Sequence, residues 1–253
     1  MSAALVYEWR RITSIRSTYV LAALFLVATG LVAYLVAQVT QGSFGDPGGD
    51  GGGAMIGSGS VPLGVVMIAG TNFLSAIFVT TIAAQSFGHE YRYGLIRLTL
   101  SEYPRRWLIF TAKLIVVVLW VVALYLLSML VAFVVVKIAG VAIDPVTSET
   151  WLQLLRAGLF LIGYSILAFM LTLITRNLVL GVVIPLLLGA VVEPLASAGL
   201  VDRLPWLPQY LPISAGQTFL NGGDDLGRGG VVFLAWVVGL GVIGLVQFAR
   251  RDA

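Results

Sequence analysis

The sequence predicts an all-α, polytopic membrane protein with six transmembrane helices. Three observations carry this expectation. The mean hydropathy is +0.99 with only 11% of residues charged. The 253 residues divide into six long windows free of central charge. The cations gather in alternate connecting segments. A soluble domain needs about a quarter of its residues charged, so no soluble class fits. The absence of cysteine excludes disulfide frameworks, thiolate metal sites and cysteine nucleophiles. A single histidine, His89, excludes bis-histidine haem ligation within the chain.

The elements follow in order. Residues 1–17 contain "LVYEWRRITSIRS", which mixes Leu5, Val6, Trp9 and Ile12 with Arg10, Arg11 and Arg16. Helical spacing turns the apolar residues toward lipid and the cations toward headgroups, giving an interfacial helix. Spans are expected over 18–39, 61–87, 113–137, 156–176, 178–196 and 229–249. A Lys or Arg at a span centre costs roughly 2.5–3.5 kcal/mol, which sets their limits. The fifth carries Pro185 in its middle, which predicts a kink or break, and meets Glu193 at its far end. Residues 40–60 are too rich in glycine to order themselves and read as an external hairpin. In 197–228, prolines 205, 208 and 212 alternate with Trp206, Tyr210 and Leu211, which predicts an irregular external loop along the membrane surface. The whole chain, 1–253, reads as one membrane domain.

Orientation follows from the cations. With the N-terminus inside, the inner side holds Arg10, Arg11, Arg16, Arg92, Arg97, Arg105, Arg106, Lys113, Arg176, Arg250 and Arg251. The outer side holds Lys137, Arg156, Arg203 and Arg228. The positive-inside rule therefore places both termini in the cytoplasm.

Charge is densest in "FGHEYRYGLIRLTLSEYPRRW", between spans two and three on the inner side. Leu95 and Leu98 share a helix face, Arg97 lies elsewhere, Gly94 offers a backbone break and Pro104 ends the segment. The pattern predicts a short amphipathic helix within 88–106, half in lipid and half open to a soluble partner. Within the spans, polar residues are mild. Asn72, Ser75, Thr81 and Gln85 fall toward one side of the second span. They fit hydrogen bonds between helices, worth about 0.6 kcal/mol each, or the lining of a translocation path. Glycines 239, 241 and 244 suit close packing of the last helix.

The stretch "EYRYGLIRLTLSEYPRRWLIFTAK" resembles the first cytoplasmic loop of small ABC-2-type permeases, the membrane subunits of ABC transporters. Glu90, Arg92, Gly94, Arg97, Leu100, Pro104, Arg105 and Lys113 match that family's order of residues. Leu95 stands where threonine is usual. The resemblance implies that 88–106 is a coupling helix, docked into an ATPase subunit through Glu90, Tyr91, Arg92, Tyr93, Gly94 and Arg97. It further implies two copies of that nucleotide-binding subunit, a second permease half in a homodimer, and a bacterial cytoplasmic membrane. The substrate would be an antibiotic, a peptide, a lipid or another amphipathic molecule, moved outward.

No Gly-x-x-x-x-Gly-Lys-Ser/Thr motif occurs, so ATP and its magnesium would sit on the partner. The chain itself carries no catalytic, cofactor or metal residues that the sequence singles out, and no nucleic-acid partner is expected. Two other classes are alternatives, the first with less support because only the fifth span looks broken and no midplane charge is visible. A secondary transporter driven by an ion gradient would need midplane charge and paired broken helices. A membrane anchor or assembly protein would use the amphipathic loop as a docking site without transport.

Overall fold

The computed structural model describes residues 2–40, 60–61, 73–96, 106–143, 147–200 and 206–250. It is an all-α bundle. Helix α1 (Ser2–Ser14) is followed by α2 (Arg16–Thr40), α3 (Phe73–Arg92), α4 (Arg106–Ile138) and α5 (Ser148–Thr175). Then come α6 (Leu178–Leu187), a π-helical turn (Leu188–Val192) and α7 (Glu193–Leu200), and a 3₁₀ turn (Pro208–Tyr210). Helices α8 (Pro212–Asn221) and α9 (Leu226–Arg250) complete the chain. Two residues of β1 (Ser60–Val61) pair in parallel with β2 (Ala142–Ile143), Ser60 opposite Ala142.

Among the described residues, five stretches are long and apolar enough to cross a membrane: Arg16–Val39, Arg106–Ile138, Ser148–Thr175, Leu178–Ala198 and Leu226–Arg250. A chain with five such helices is a multi-pass membrane protein. The second expected span, 61–87, corresponds to α3, whose helix begins at Phe73; residues 62–72 lie outside those described. Helices α4 and α5 start well before the windows expected at 113 and 156. Windows cut at a charge mark where a side chain resists hydrocarbon, whereas the backbone helix runs on through Lys113 and Arg156.

The contacts between helices mark two ends of the bundle. At one end, Lys113 of α4 meets Glu8 of α1 and Glu90 of α3. Arg106 Nη1 donates to the Phe248 carbonyl at 3.1 Å there, capping a free carbonyl of α9. At the other end lie the β1–β2 ladder and a bond from Trp236 Nε1 to the Tyr210 carbonyl at 2.9 Å. Helix α3 occupies the middle, packed against α2, α4, α5 and α6. Every residue from Ile82 to Gly88 is buried. Its apolar partners include Phe110, Phe169 and Phe248, whose rings gather around Phe87, with Phe87 and Phe169 centroids 5.0 Å apart.

Three expectations about local structure are revised. Residues 197–228 do not form only an irregular loop, because Pro212 takes the first position of α8, where its fixed φ starts a helix rather than breaking one. That helix buries Ile213, Ala215 and Gly216 against α5 and α9. Of the kink or break expected at Pro185, the structure shows an irregular turn and not a break. The helix widens into the π turn behind it, and the Leu188 N–H is shared between the Ile184 and Pro185 carbonyls. Of the glycines in α9, Gly244 does fit close packing, with Met170 Sδ and Leu173 Cδ2 at 3.2 and 3.3 Å from a notional Cβ, whereas nothing lies within 4 Å at Gly239. The glycine-rich hairpin falls outside the described residues from 41 to 59.

Gly94 ends α3 as the sequence leads one to expect of a backbone break. Its φ is +68°, with the Leu95 N–H bonded to the Glu90 carbonyl at 2.9 Å and the Gly94 N–H to that of Tyr91 at 3.4 Å. This is the Schellman arrangement. A Cβ there would touch nothing within 4 Å, so only backbone conformation opposes a side chain. Gly94→Ala should therefore cost about 1–2 kcal/mol, and Gly94→Asn clearly less, read as thermal midpoints in detergent. Equal losses for the two variants would refute this account.

Candidate functional site, a buried ion cluster at the base of the bundle

The stripe of α1 that turns inward is Ala4, Glu8 and Ile12, spaced four residues apart. Val6, Tyr7, Trp9 and Arg10 face outward. The expected amphipathic face is thus partly rotated: Ile12 and Arg11 point into the protein rather than to lipid and headgroups. The cause is Glu8, a carboxylate that an interfacial helix has no use for and that finds a cation across the bundle. Trp9 stacks on Trp120 of α4, centroids 5.9 Å apart, and Tyr19 packs edge-on to the same ring at 6.1 Å.

Lys113 is the centre. Its side chain is 0% exposed. Its ammonium donates to Glu8 Oε1 at 2.7 Å, to Glu90 Oε1 at 2.6 Å and to the Ser86 carbonyl at 3.5 Å. All three of its donors are thereby used. The Phe87 ring lies 5.2 Å from Nζ and adds a cation–π contact. Arg11 closes the group: Nη1 donates to Glu90 Oε1, and Nη2 to the Ser86 carbonyl at 2.5 Å. Its Nη2 also lies 3.0 Å from Glu8 Oε2. Two cations and two carboxylates make a neutral set.

Burying such charges costs several kcal/mol each, and the mutual attraction offsets this only where geometry and extra hydrogen bonds are good. The aromatic cluster around Phe87 walls the site from beneath, which strengthens every pair by lowering the local dielectric. Glu90 Oε2 and Ser86 Oγ are buried without a hydrogen-bond partner among the described residues. The cluster is therefore strongly sensitive to loss of any one charge. His89, one residue along, is held below its ordinary pKa, first by burial and then by Arg11 and Arg92. It adds no third full cation near neutral pH.

The residues singled out from the sequence separate into distinct groups. Glu90 is inside the cluster and not on the surface. Tyr91 is half-buried against the core, and the Arg176 guanidinium lies 5.8 Å over its ring. Arg92, Tyr93 and Gly94 are exposed at the end of α3, with Arg92 5.8 Å from the Tyr93 ring. Arg97 lies outside the described residues, as does Asn72. Ser75 and Gln85 are buried and Thr81 is half-buried. Gln85 Oε1 accepts from Ser17 Oγ at 3.4 Å and Thr18 Oγ1 at 3.5 Å, which ties α3 to α2. Thr81 Oγ1 donates to its own helix at Ile77. Glu8 and Lys113 carry the site and were not marked as a pair. A carboxylate in a basic interfacial segment and a lysine inside a helical apolar run are the signals that point to them.

Glu193 forms a second polar site, at the opposite end. It is buried, and its Oε1 accepts from the Ile213 N–H at 2.9 Å. Its Oε2 accepts from the Ser214 N–H at 2.5 Å and from Ser214 Oγ at 2.6 Å. These are the orphan donors of α8, whose N-cap residue Leu211 supplies no side-chain cap. The residue expected to mark only a membrane boundary is a cap delivered from another element. No metal-ligand group of three or more His, Cys, Asp or Glu side chains occurs among the described residues.

The chain matches no protein-family model and no curated protein.

Two outcomes test these sites. Lys113→Met leaves two buried carboxylates facing Arg11 alone and should cost about 3–5 kcal/mol. Adding Glu90→Leu restores neutrality and should recover much of that loss, which a double-mutant cycle of thermal midpoints in detergent reads. Additive losses would dissolve the cluster into independent contacts. Glu193→Ala should cost about 1–3 kcal/mol through the unpaired amides of α8, measured as faster amide exchange at Ile213 and Ser214.

Proposed function

We propose that the chain is the membrane-spanning permease subunit of an ATP-driven exporter. In this reading α3, with the residues before it, supplies the sixth span. Two copies form the transmembrane unit in a bacterial cytoplasmic membrane, both termini in the cytoplasm. Two separate ATPase subunits carry ATP and magnesium. An amphipathic cargo such as a peptide, an antibiotic or a lipid moves outward. The distribution of cations between the two ends supports the orientation. Arg10, Arg11, Arg16, Arg92, Arg106, Lys113, Arg176 and Arg250 belong to the end bearing α1, and Lys137, Arg156 and Arg228 to the other.

One observation carries the proposal. The exposed turn Arg92–Leu95 sits on the end of the central helix, two residues beyond a carboxylate welded to α1 and α4. A load applied to that turn reaches three helices at once, because Glu90, Lys113, Arg11 and Glu8 leave no slack between them. A docked motor protein needs such a lever to convert nucleotide-driven movement into tilting of spans. Relative to the resemblance, Glu90 takes a new role: it transmits, and Arg92 and Tyr93 make contact. The family pattern's Lys at the head of the third span, Lys113, becomes the other half of that joint.

The test uses the chain purified with its ATPase subunit and placed in lipid nanodiscs. ATP hydrolysis by the pair should fall at least about tenfold in Arg92→Glu combined with Tyr93→Ala, because a charged anchor and an aromatic one are both lost. Folding of the variant, followed by its thermal midpoint, should be unchanged since both side chains are exposed. Full hydrolysis and undiminished association in that variant would end the proposal.

A further inference from the structure

The outward face of α9 is grooved. Within the most apolar window of this helix only 17% of residues are buried, so most of its surface meets lipid. The groove has a volume of about 450 Å³ and runs along α9 from Val231 to Ile243, with Tyr210 of the 3₁₀ turn as a second wall. All of its lining residues are among those described. Small side chains make its floor: Ala235 and Gly239 lie four residues apart on one helical face, between the bulkier Val232 and Ile243. Nothing lies within 4 Å of a notional Cβ at Gly239. Tyr210 keeps its place as the side wall because Trp236 Nε1 donates to its carbonyl at 2.9 Å.

Dimensions decide what fits. The helix rises about 18 Å from Val231 to Ile243, a little more than half of a hydrocarbon core about 30 Å thick. A volume of about 450 Å³ spread over about 18 Å leaves a section of about 25 Å², or about 5–6 Å across. A neighbouring helix, about 10–12 Å wide with its side chains, cannot seat in it. A single hydrocarbon chain can, since carbon atoms in contact lie about 3.5–4 Å apart. The rim is charged with both signs. Arg228 lies on the groove's face of α9, four, seven and eleven residues before Val232, Ala235 and Gly239. Its Nη2 is 2.7 Å from Asp225 Oδ2, and the two side chains are 42% and 58% exposed. Such a surface pair holds its members loosely. It offers a cation to a phosphate and an anion to an ammonium within one short reach, and Asp224 beside it is exposed as well. A purely anionic headgroup would meet two carboxylates and one guanidinium among the described residues.

We propose that this groove holds one acyl chain of a zwitterionic phospholipid bearing a primary ammonium, with its phosphate on Arg228 and its ammonium on Asp225. The lipid belongs to the leaflet at the end opposite α1. The site does not depend on what the chain transports or on whether it transports anything. A lipid seated there packs Tyr210 against α9, and the turn that ends at Tyr210 leads directly into α8, so the occupied groove stiffens the entry to that helix.

The experiment titrates the purified, delipidated full chain in detergent with phosphatidylethanolamine or phosphatidylglycerol of the same acyl chains. Native mass spectrometry counts both the lipids bound and the copies of the chain. One phosphatidylethanolamine per chain should bind ahead of all others, about two- to fivefold more tightly than phosphatidylglycerol. Gly239→Leu fills the trough, and the open space at its Cβ leaves the fold intact. This variant should weaken the first site at least about tenfold, because the acyl chain loses its buried contact. Arg228→Gln combined with Asp225→Asn should remove the preference between headgroups and keep the chain site. Leu234→Phe, on another face of α9 and 60% exposed, should change nothing. Unaltered binding in Gly239→Leu would overturn the proposal. So would conversion of a two-copy species to single chains in that variant, which would assign the face to a second copy. Equal affinity of the unsubstituted chain for the two lipids would overturn the headgroup assignment.

Discussion

The structure depends on the placement of one ammonium group. Lys113 begins the long apolar run of α4, and a lysine with no water around it must find negative charge or destabilise the fold. Glu8 and Glu90 supply it from two other helices, and Arg11 restores neutrality. With the cluster formed, α1 cannot drift on the membrane surface, the end of α3 cannot slide against α4, and the turn beyond Glu90 inherits their rigidity. Replacing the four charges with apolar side chains of similar volume could match their stability. What ions add is direction, because a carboxylate pairs with a lysine in few geometries whereas apolar faces slip past one another.

The same logic recurs at the opposite end in a different form. Helices inside a membrane gain little from hiding apolar surface, since lipid is as apolar as leucine. Specific polar bonds and close packing must set positions instead. Glu193 holds the N-terminus of α8, and Tyr164 Oη donates to the Pro185 carbonyl at 2.7 Å beside the π turn. Gly181 allows α6 to lie so near α5 that any side chain would overlap Thr172. A buried polar contact thus anchors each end, with tight small-residue and aromatic packing between.

A charged residue in a cation-rich stretch need not face outward. Glu90 belongs to the interior, and its removal from the surface leaves a face whose described exposed charges are all positive. Glu90 and Arg92, two residues apart on one helix, have opposite surroundings: the first is buried and paired, the second exposed.

The length and polarity of each segment were legible from residues alone, because the cost of placing a charge in hydrocarbon is local and large. That is why five of the six expected spans, the cation-rich stretch after α3 and the glycine turn at 94 can be found without coordinates. Which charges pair could not be found in the same way. Glu8 and Lys113 are 105 residues apart, and nothing near either one names the other. Pro212 starting a helix, Glu193 capping it and Arg176 covering Tyr91 are likewise matters of distance in space. Hydropathy is a property of a stretch of chain, whereas the satisfaction of a buried charge is a property of the packed whole, and only the tertiary structure decided it.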